Sequence, residues 1–186
     1  MSFKFDIQLT EQDYLDYNTF WSLKSPYGKK TMTGIRVMMA IAFGVLILAT
    51  LLEGDFSSET WTSISLYVIL LVVFQLTYNK IYKAFLKGYI KNLKKKGKMG
   101  YSPNATITFL DETFFEETPE NKTEAKYASI ERVSLVGDYI YIHVNNVLAY
   151  ILPSSCFESK AKYEKFVEFL KTKCLQIDVY NKSGER

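Results

Sequence analysis

The chain has 186 residues, 48% of them hydrophobic and 23% charged, with a formal net charge of +3; that is room for one domain of ordinary size, or for a smaller domain beside a membrane element. The charge is gathered in one band: residues 80–98 carry eight lysines and no acid beside a strongly apolar stretch, leaving the rest of the chain net negative. Nucleic-acid binders spread Lys and Arg over a folded face among polar or aromatic readers, so this pattern excludes a nucleic-acid partner and points to a lipid bilayer.

The first residues hold no continuous apolar core and no small-residue cleavage site, and no cleavable signal peptide is expected. Phe3, Phe5, Ile7 and Leu9 alternate with Lys4, Asp6 and Gln8, the pattern of a half-buried strand. Thr10 with Glu11, Gln12 and Asp13 caps a helix whose Tyr14, Tyr17, Phe20 and Trp21 form an aromatic face, and Ser25, Pro26, Tyr27 and Gly28 break it. A strand this regular needs a sheet. The one available lies downstream, so residues 1–33 are expected to pack on the C-terminal domain.

Residues 60–79 pass without a charge, and at about 1.5 Å per residue such a helix covers the roughly 30 Å of a bilayer's hydrocarbon. Residues 37–52 are also uncharged and reach span length by including Gly34, Ile35 and Arg36, whose guanidinium can snorkel to the headgroups. The connection, residues 53–59, is acidic and so short that residues 34–52 and 60–79 must form an antiparallel hairpin. Lys24, Lys29, Lys30 and Arg36 lie before it and the lysine band after it. By the positive-inside rule both termini are cytoplasmic, the loop is outside, and the protein is multi-pass in the plasma membrane. Trp61 and Tyr78 stand at the ends of the second span, where amphipathic rings anchor. Ala40 and Gly44 have the spacing of a close helix contact, and Gln75 offers a polar group to the neighbouring helix.

Over residues 80–100, Ile81, Phe85, Leu86, Tyr89, Ile90 and Leu93 recur at helical spacing. Lys80, Lys83, Lys87, Lys91 and Lys94 recur on the other side, Lys95 and Lys96 follow, and Gly97 and Gly100 end the helix. These lysines are the candidate headgroup contacts, each worth about 1 kcal/mol close to an anionic surface.

Residues 101–186 read as a β-rich domain. Short runs at 105–110, 113–117, 122–127, 130–136, 139–144 and 147–152 are separated by turn residues such as Gly137-Asp138 and Asn145-Asn146. Ile140, Ile142 and Val144 share one strand face; Tyr139, Tyr141 and His143 share the other. After Pro153, residues 158–175 form a helix with Tyr163, Phe166, Val167, Leu170 and Cys174 as its apolar stripe. The predicted class is an α+β membrane protein: a two-helix transmembrane hairpin plus a small antiparallel β meander or partly open barrel, capped by a C-terminal helix.

No catalytic set, cofactor site or metal site is read from the residues. His143 is the single histidine, best placed as a strand side chain, and Glu112, Glu116, Glu117 and Glu120 read as a solvated edge. Cys156 and Cys174 are the only cysteines and are expected to be reduced, buried thiols. No phosphate-cradling glycine loop occurs.

The order of two spans, basic helix, β meander and terminal helix resembles the YcxB-like family of bacterial membrane proteins. The likeness is carried by Thr-Glu-Gln-Asp-Tyr-Leu at 10–15, Ser-Pro-Tyr-Gly at 25–28, Tyr-Ala-Ser-Ile at 127–130, Asp-Tyr-Ile-Tyr-Ile at 138–142 and Ala-Tyr-Ile-Leu-Pro at 149–153 with Phe157. Tyr127 stands where such proteins often carry tryptophan. The resemblance implies a pleckstrin-homology-like C-terminal domain and no particular activity. The expected function is a non-enzymatic, membrane-anchored binding or regulatory module that engages a protein partner or lipid headgroups, with a homo-oligomer as another possible partner. The alternatives are a structural subunit of a larger membrane complex and a small oligomeric transporter, which would depend on Gln75 and Arg36.

Overall fold

A computed structural model describes residues 2–54, 56–97, 99–144 and 148–181. In chain order these form β1 (Phe3–Gln8), α1 (Glu11–Leu23), α2 (Pro26–Leu52), α3 (Ser58–Lys95), β2 (Asn104–Phe109), β3 (Thr113–Glu117), β4 (Lys122–Lys126), β5 (Arg132–Val136), β6 (Tyr139–His143), β7 (Ala149–Pro153), α4 (Lys160–Lys173) and β8 (Ile177–Tyr180). The chain divides into two compact units, Met1–Asn18 with Ile90–Arg186, and Thr19–Tyr89; the boundary falls within α1 and within α3.

The first unit is the α+β domain. Its strands form two antiparallel-rich sheets, ordered β1-β2-β3-β4 and β7-β6-β5-β8, which do not close into a barrel; with the C-terminal helix this is the α+β class expected. All neighbours are antiparallel except β5 and β8, which run parallel from Val133↔Ile177 to Val136↔Tyr180. β1 pairs with β2 from Phe3↔Phe109 to Gln8↔Asn104, and its alternation sends Phe3, Phe5 and Ile7 inward while Lys4, Asp6 and Gln8 stay exposed. Gly137 makes the tight turn between β5 and β6 at φ 55°, a conformation that favours glycine.

The core lies between the two sheets and α4. Phe166 is fully buried, with its ring 4.7 Å from Phe5, 4.8 Å from Phe109 and 5.2 Å from Phe3. Val133, Ile140 and Leu152 complete it from the second sheet. Tyr127 fills the place discussed above: its ring lies 5.6 Å from Phe114 and 5.8 Å from Phe169, and its hydroxyl donates to the Leu110 carbonyl at 2.6 Å. The other face of the second sheet is covered too. The first part of α1, held by a reciprocal cap in which Asp13 N–H donates to Thr10 Oγ1 and Thr10 N–H to Asp13 Oδ2, sets Tyr17 5.2 Å from Tyr141. Tyr139 donates its hydroxyl to Asp13 Oδ1 at 2.8 Å.

The second unit is a helical hairpin. Ser25 caps α2 by accepting from Gly28 N–H at 3.0 Å, and Pro26 opens its first turn. Gly28 is buried, and a Cβ there would stand 2.1 Å from the Trp21 carbonyl oxygen and 2.4 Å from that of Ser22. The Ser-Pro-Tyr-Gly run is therefore a tight corner between α1 and α2. The second apolar run and the basic stretch that continues its helical spacing form one helix of 38 residues. It stays unbroken because nothing between Asn79 and Lys96 interrupts helical spacing, and it ends where Gly97 turns at φ 63°. α2 and α3 are long and apolar enough to cross a membrane.

Candidate functional site

The faces of the hairpin differ in burial and polarity. Where α2 and α3 meet, Arg36 Nη2 donates to Asn79 Oδ1 at 3.0 Å, and Gln75 Nε2 donates to the Arg36 carbonyl at 3.2 Å. Tyr78, expected as an interface anchor, is buried: its hydroxyl lies 3.1 Å from Met32 Sδ and its ring 5.3 Å from the Arg36 guanidinium. Trp61 is exposed. Gly44 also turns outward, with open space beyond it, so the predicted Ala40–Gly44 contact does not form. The outward faces are apolar: Met38 is 71% exposed, and Leu52 and Leu76 are each 77% exposed.

Every candidate headgroup lysine is exposed, and all lie on α3 or directly after it: Lys80, Lys83, Lys87, Lys91, Lys94, Lys95 and Lys96. Lys94 is committed in part, its ammonium 3.0 Å from Glu11 Oε2. The apolar stripe predicted opposite the lysines splits in two. Leu86 and Ile90 are buried, while Ile81, Phe85 and Tyr89 form an exposed ridge between that buried stripe and the lysines. Spacing alone cannot separate these faces, since both recur at three and four.

On the domain, a groove of about 520 Å³ runs between the loop after α3 and the strands, lined by Met99, Tyr101, Glu116, Thr123, Leu148 and Tyr150 among others. Tyr101 is fixed there by its ring, 4.5 Å from Tyr14. Glu116 corrects the solvated-edge reading: it is half-buried, and burial pushes its carboxyl above the usual carboxylate range. Glu112, Glu117 and Glu120 are exposed as expected. Strand alternation puts Glu116 on the same face as the buried Phe114, and a loop 13 or more residues upstream adds cover that no local pattern announces.

His143 is buried on the face of β6 toward α1. Its Nε2 lies 3.5 Å from Ser134 Oγ, and Asp178 on β8 approaches Arg132 at 3.5 Å. Burial, and then the Arg132 charge, push the imidazole pKa down to about 4, so the ring is neutral near pH 7. Ser134, His143 and Asp178 are each under a tenth exposed, a buried polar bridge across β5, β6 and β8. Both cysteines are free and half-buried, their thiols pushed up by burial to about 12 for Cys156 and about 11 for Cys174. Among the described residues, no group of three or more His, Cys, Asp or Glu side chains is arranged to hold a metal ion.

Taken with the fold, these features define an α+β protein built of an apolar helical hairpin and a two-sheet domain closed by a helix. Residues 109–170, from the end of β2 into α4, match the family model of YcxB-like proteins, so the C-terminal region is YcxB-like. The matching stretch includes the 127–130, 138–142 and 149–153 segments and Phe157, and it leaves 10–15 and 25–28 outside. No curated protein and no solved structure matches the chain.

Proposed function

We propose that this chain is a membrane-tethered binding module. The observation that carries the reading is the outward apolar surface of α2 and α3, which in water would expose a patch far larger than soluble proteins carry. α2 and α3 cross the plasma membrane as a hairpin, the acidic connection faces outside, and both flanks are cytoplasmic. Lys80, Lys83, Lys87, Lys91, Lys94, Lys95 and Lys96 follow the span and meet anionic headgroups. The YcxB-like domain, pleckstrin-like in character, engages a protein partner through the groove around Glu116, whose half-buried carboxyl suits a basic side chain of that partner. Binding, not catalysis, is the role that fits. The buried polar bridge supports this, because its histidine is neutral and sealed between a sheet and a helix.

Topology is tested with an impermeant thiol reagent on intact cells. Label is expected at Phe56→Cys, and at Leu175→Cys only once the membrane is opened; immediate label at Leu175→Cys overturns the orientation. The groove is tested in the full-length protein with a photo-crosslinking residue at Thr123 or at Val179, an exposed position on β8. The reading expects a discrete adduct from Thr123, and identical adducts from both positions would remove the groove as the binding element.

A further inference from the structure

The hairpin carries a second concave site, at the end away from the connection. A cavity of about 320 Å³ is lined by Lys24, Lys29, Arg36 and Lys83, together with Thr33 and Asn79, and by no acidic residue. Three parts of one unit converge there: the corner after α1, the first turns of α2, and α3 just past its uncharged run. Lys29, Thr33 and Arg36 share a face of α2, and Asn79 and Lys83 stand one turn apart on α3. The corner that brings Lys24 over them is the one only Gly28 permits.

Like charges crowded around one cavity repel unless an anion sits among them. Arg36 spends Nη2 on Asn79 and faces Tyr78 with its guanidinium plane, while its Nε is buried without a hydrogen-bond partner. A guanidinium beside three ammonium groups and a hydroxyl, all lining one cavity, matches the oxygens of a phosphate group. The cavity also lies where the uncharged run of α2 begins and that of α3 ends, next to Val37, Met38 and Ile41, which are 51%, 71% and 60% exposed.

We infer that this cavity holds the phosphate of an anionic phospholipid, with the acyl chains lying along the outward face of α2. The inference rests on the reading of α2 and α3 as membrane spans. It differs from general lysine attraction by naming a pocket with its own donors, of which only Lys83 belongs to the lysine band.

The test uses full-length protein in neutral detergent micelles containing phosphatidylglycerol or phosphatidylcholine, with bound lipid counted by native mass spectrometry. A Lys24→Gln/Lys29→Gln/Lys83→Gln variant is compared with Lys91→Gln/Lys95→Gln/Lys96→Gln, which removes equal charge outside the cavity. Phosphatidylglycerol retention is expected to fall about tenfold or more in the first variant and to change little in the second. Equal loss in both, or no preference for phosphatidylglycerol over phosphatidylcholine, overturns the pocket. Displacement of the lipid by millimolar inorganic phosphate overturns the lipid assignment in favour of a soluble phosphate. Arg36→Lys, which keeps the charge but not the planar donor set, should lose part of the retention while the protein still elutes as a folded species. Extraction by alkaline carbonate is run alongside. Release from membranes would sink the membrane reading itself, whereas retention without lipid preference sinks only this inference.

Discussion

Lowering the pH should loosen the domain through one side chain. His143 is 2% exposed, and its pKa stands at about 4 instead of 6.5, through burial first and the Arg132 charge second, with Asp178 pulling weakly the other way. Tyr17 covers the ring from α1, with centroids 6.0 Å apart. The unfolded chain takes up the proton near pH 6.5 and the folded chain only near pH 4, so above pH 6.5 the two states do not differ at this site. As the pH falls through that window the unfolded state binds more protons, and stability is lost. Linkage puts the loss at about 2 kcal/mol by pH 5 and about 3 kcal/mol by pH 4. Other groups titrate in the same range, so the comparison is with His143→Gln, which keeps a polar side chain of similar reach and does not ionise. The assay is hydrogen exchange of the Tyr139–His143 amides in the detergent-solubilised protein at pH 7 and pH 5, corrected for intrinsic exchange rates. Wild type should lose about thirtyfold more protection than the variant. Parallel losses in the two proteins would refute the buried-neutral histidine.

The remaining predictions concern packing, a hydrogen bond and thiol chemistry. Gly28→Ala forces a methyl into the Trp21 and Ser22 carbonyls and should cost about 1–3 kcal/mol, read as a lower melting temperature in detergent. Phe166→Ala opens the centre of an aromatic core and should cost about 3–5 kcal/mol, enough to lose the folded domain in a urea titration. Tyr139→Phe removes the 2.8 Å bond to Asp13 and should cost about 1–3 kcal/mol by the same titration, because Asp13 keeps its charge and loses a donor. At pH 8, Cys174, with its thiol pushed up to about 11, should react with iodoacetamide about a hundredfold more slowly than an unperturbed cysteine, followed by intact mass.

Much of the architecture is legible in local pattern. The β1 alternation, the uncharged runs and the apolar stripe of α4 each report a buried face directly, because period two and period 3.6 cannot be exchanged without burying charge. What the residues hide is who covers whom. Tyr139, Tyr141 and His143 read only as sharing one strand face, yet α1 seals it: Tyr17 covers Tyr141, and the hydrogen-bonded Asp13 and Tyr139 are 126 residues apart in the chain. β8 was masked by its position: Ile177–Tyr180 is four residues long, sits after the helix and pairs in parallel, so neither a turn nor a neighbouring strand announces it. Of the candidate site, the lysines were visible as a run. The Arg36–Asn79 pairing and the half-burial of Glu116 depend on contacts between distant segments, which charge counting does not reveal.

The pairing of Phe3 with Phe109 has a consequence for synthesis. The opening strand leaves the ribosome about a hundred residues before its partner, a wait of roughly 5–20 s at ordinary translation speed. On the proposed membrane reading the apolar hairpin is handed to the translocation machinery in that interval, while a lone amphipathic strand has nothing to bond with. A hydrogen-bonded ladder cannot form through lipid, so the two ends can zip together only if they emerge in the same compartment. On the same membrane reading the ladder is in effect a proofreading latch: a molecule in which only one of the two helices inserts leaves β1 and β2 on opposite sides of the bilayer and the sheet unfinished.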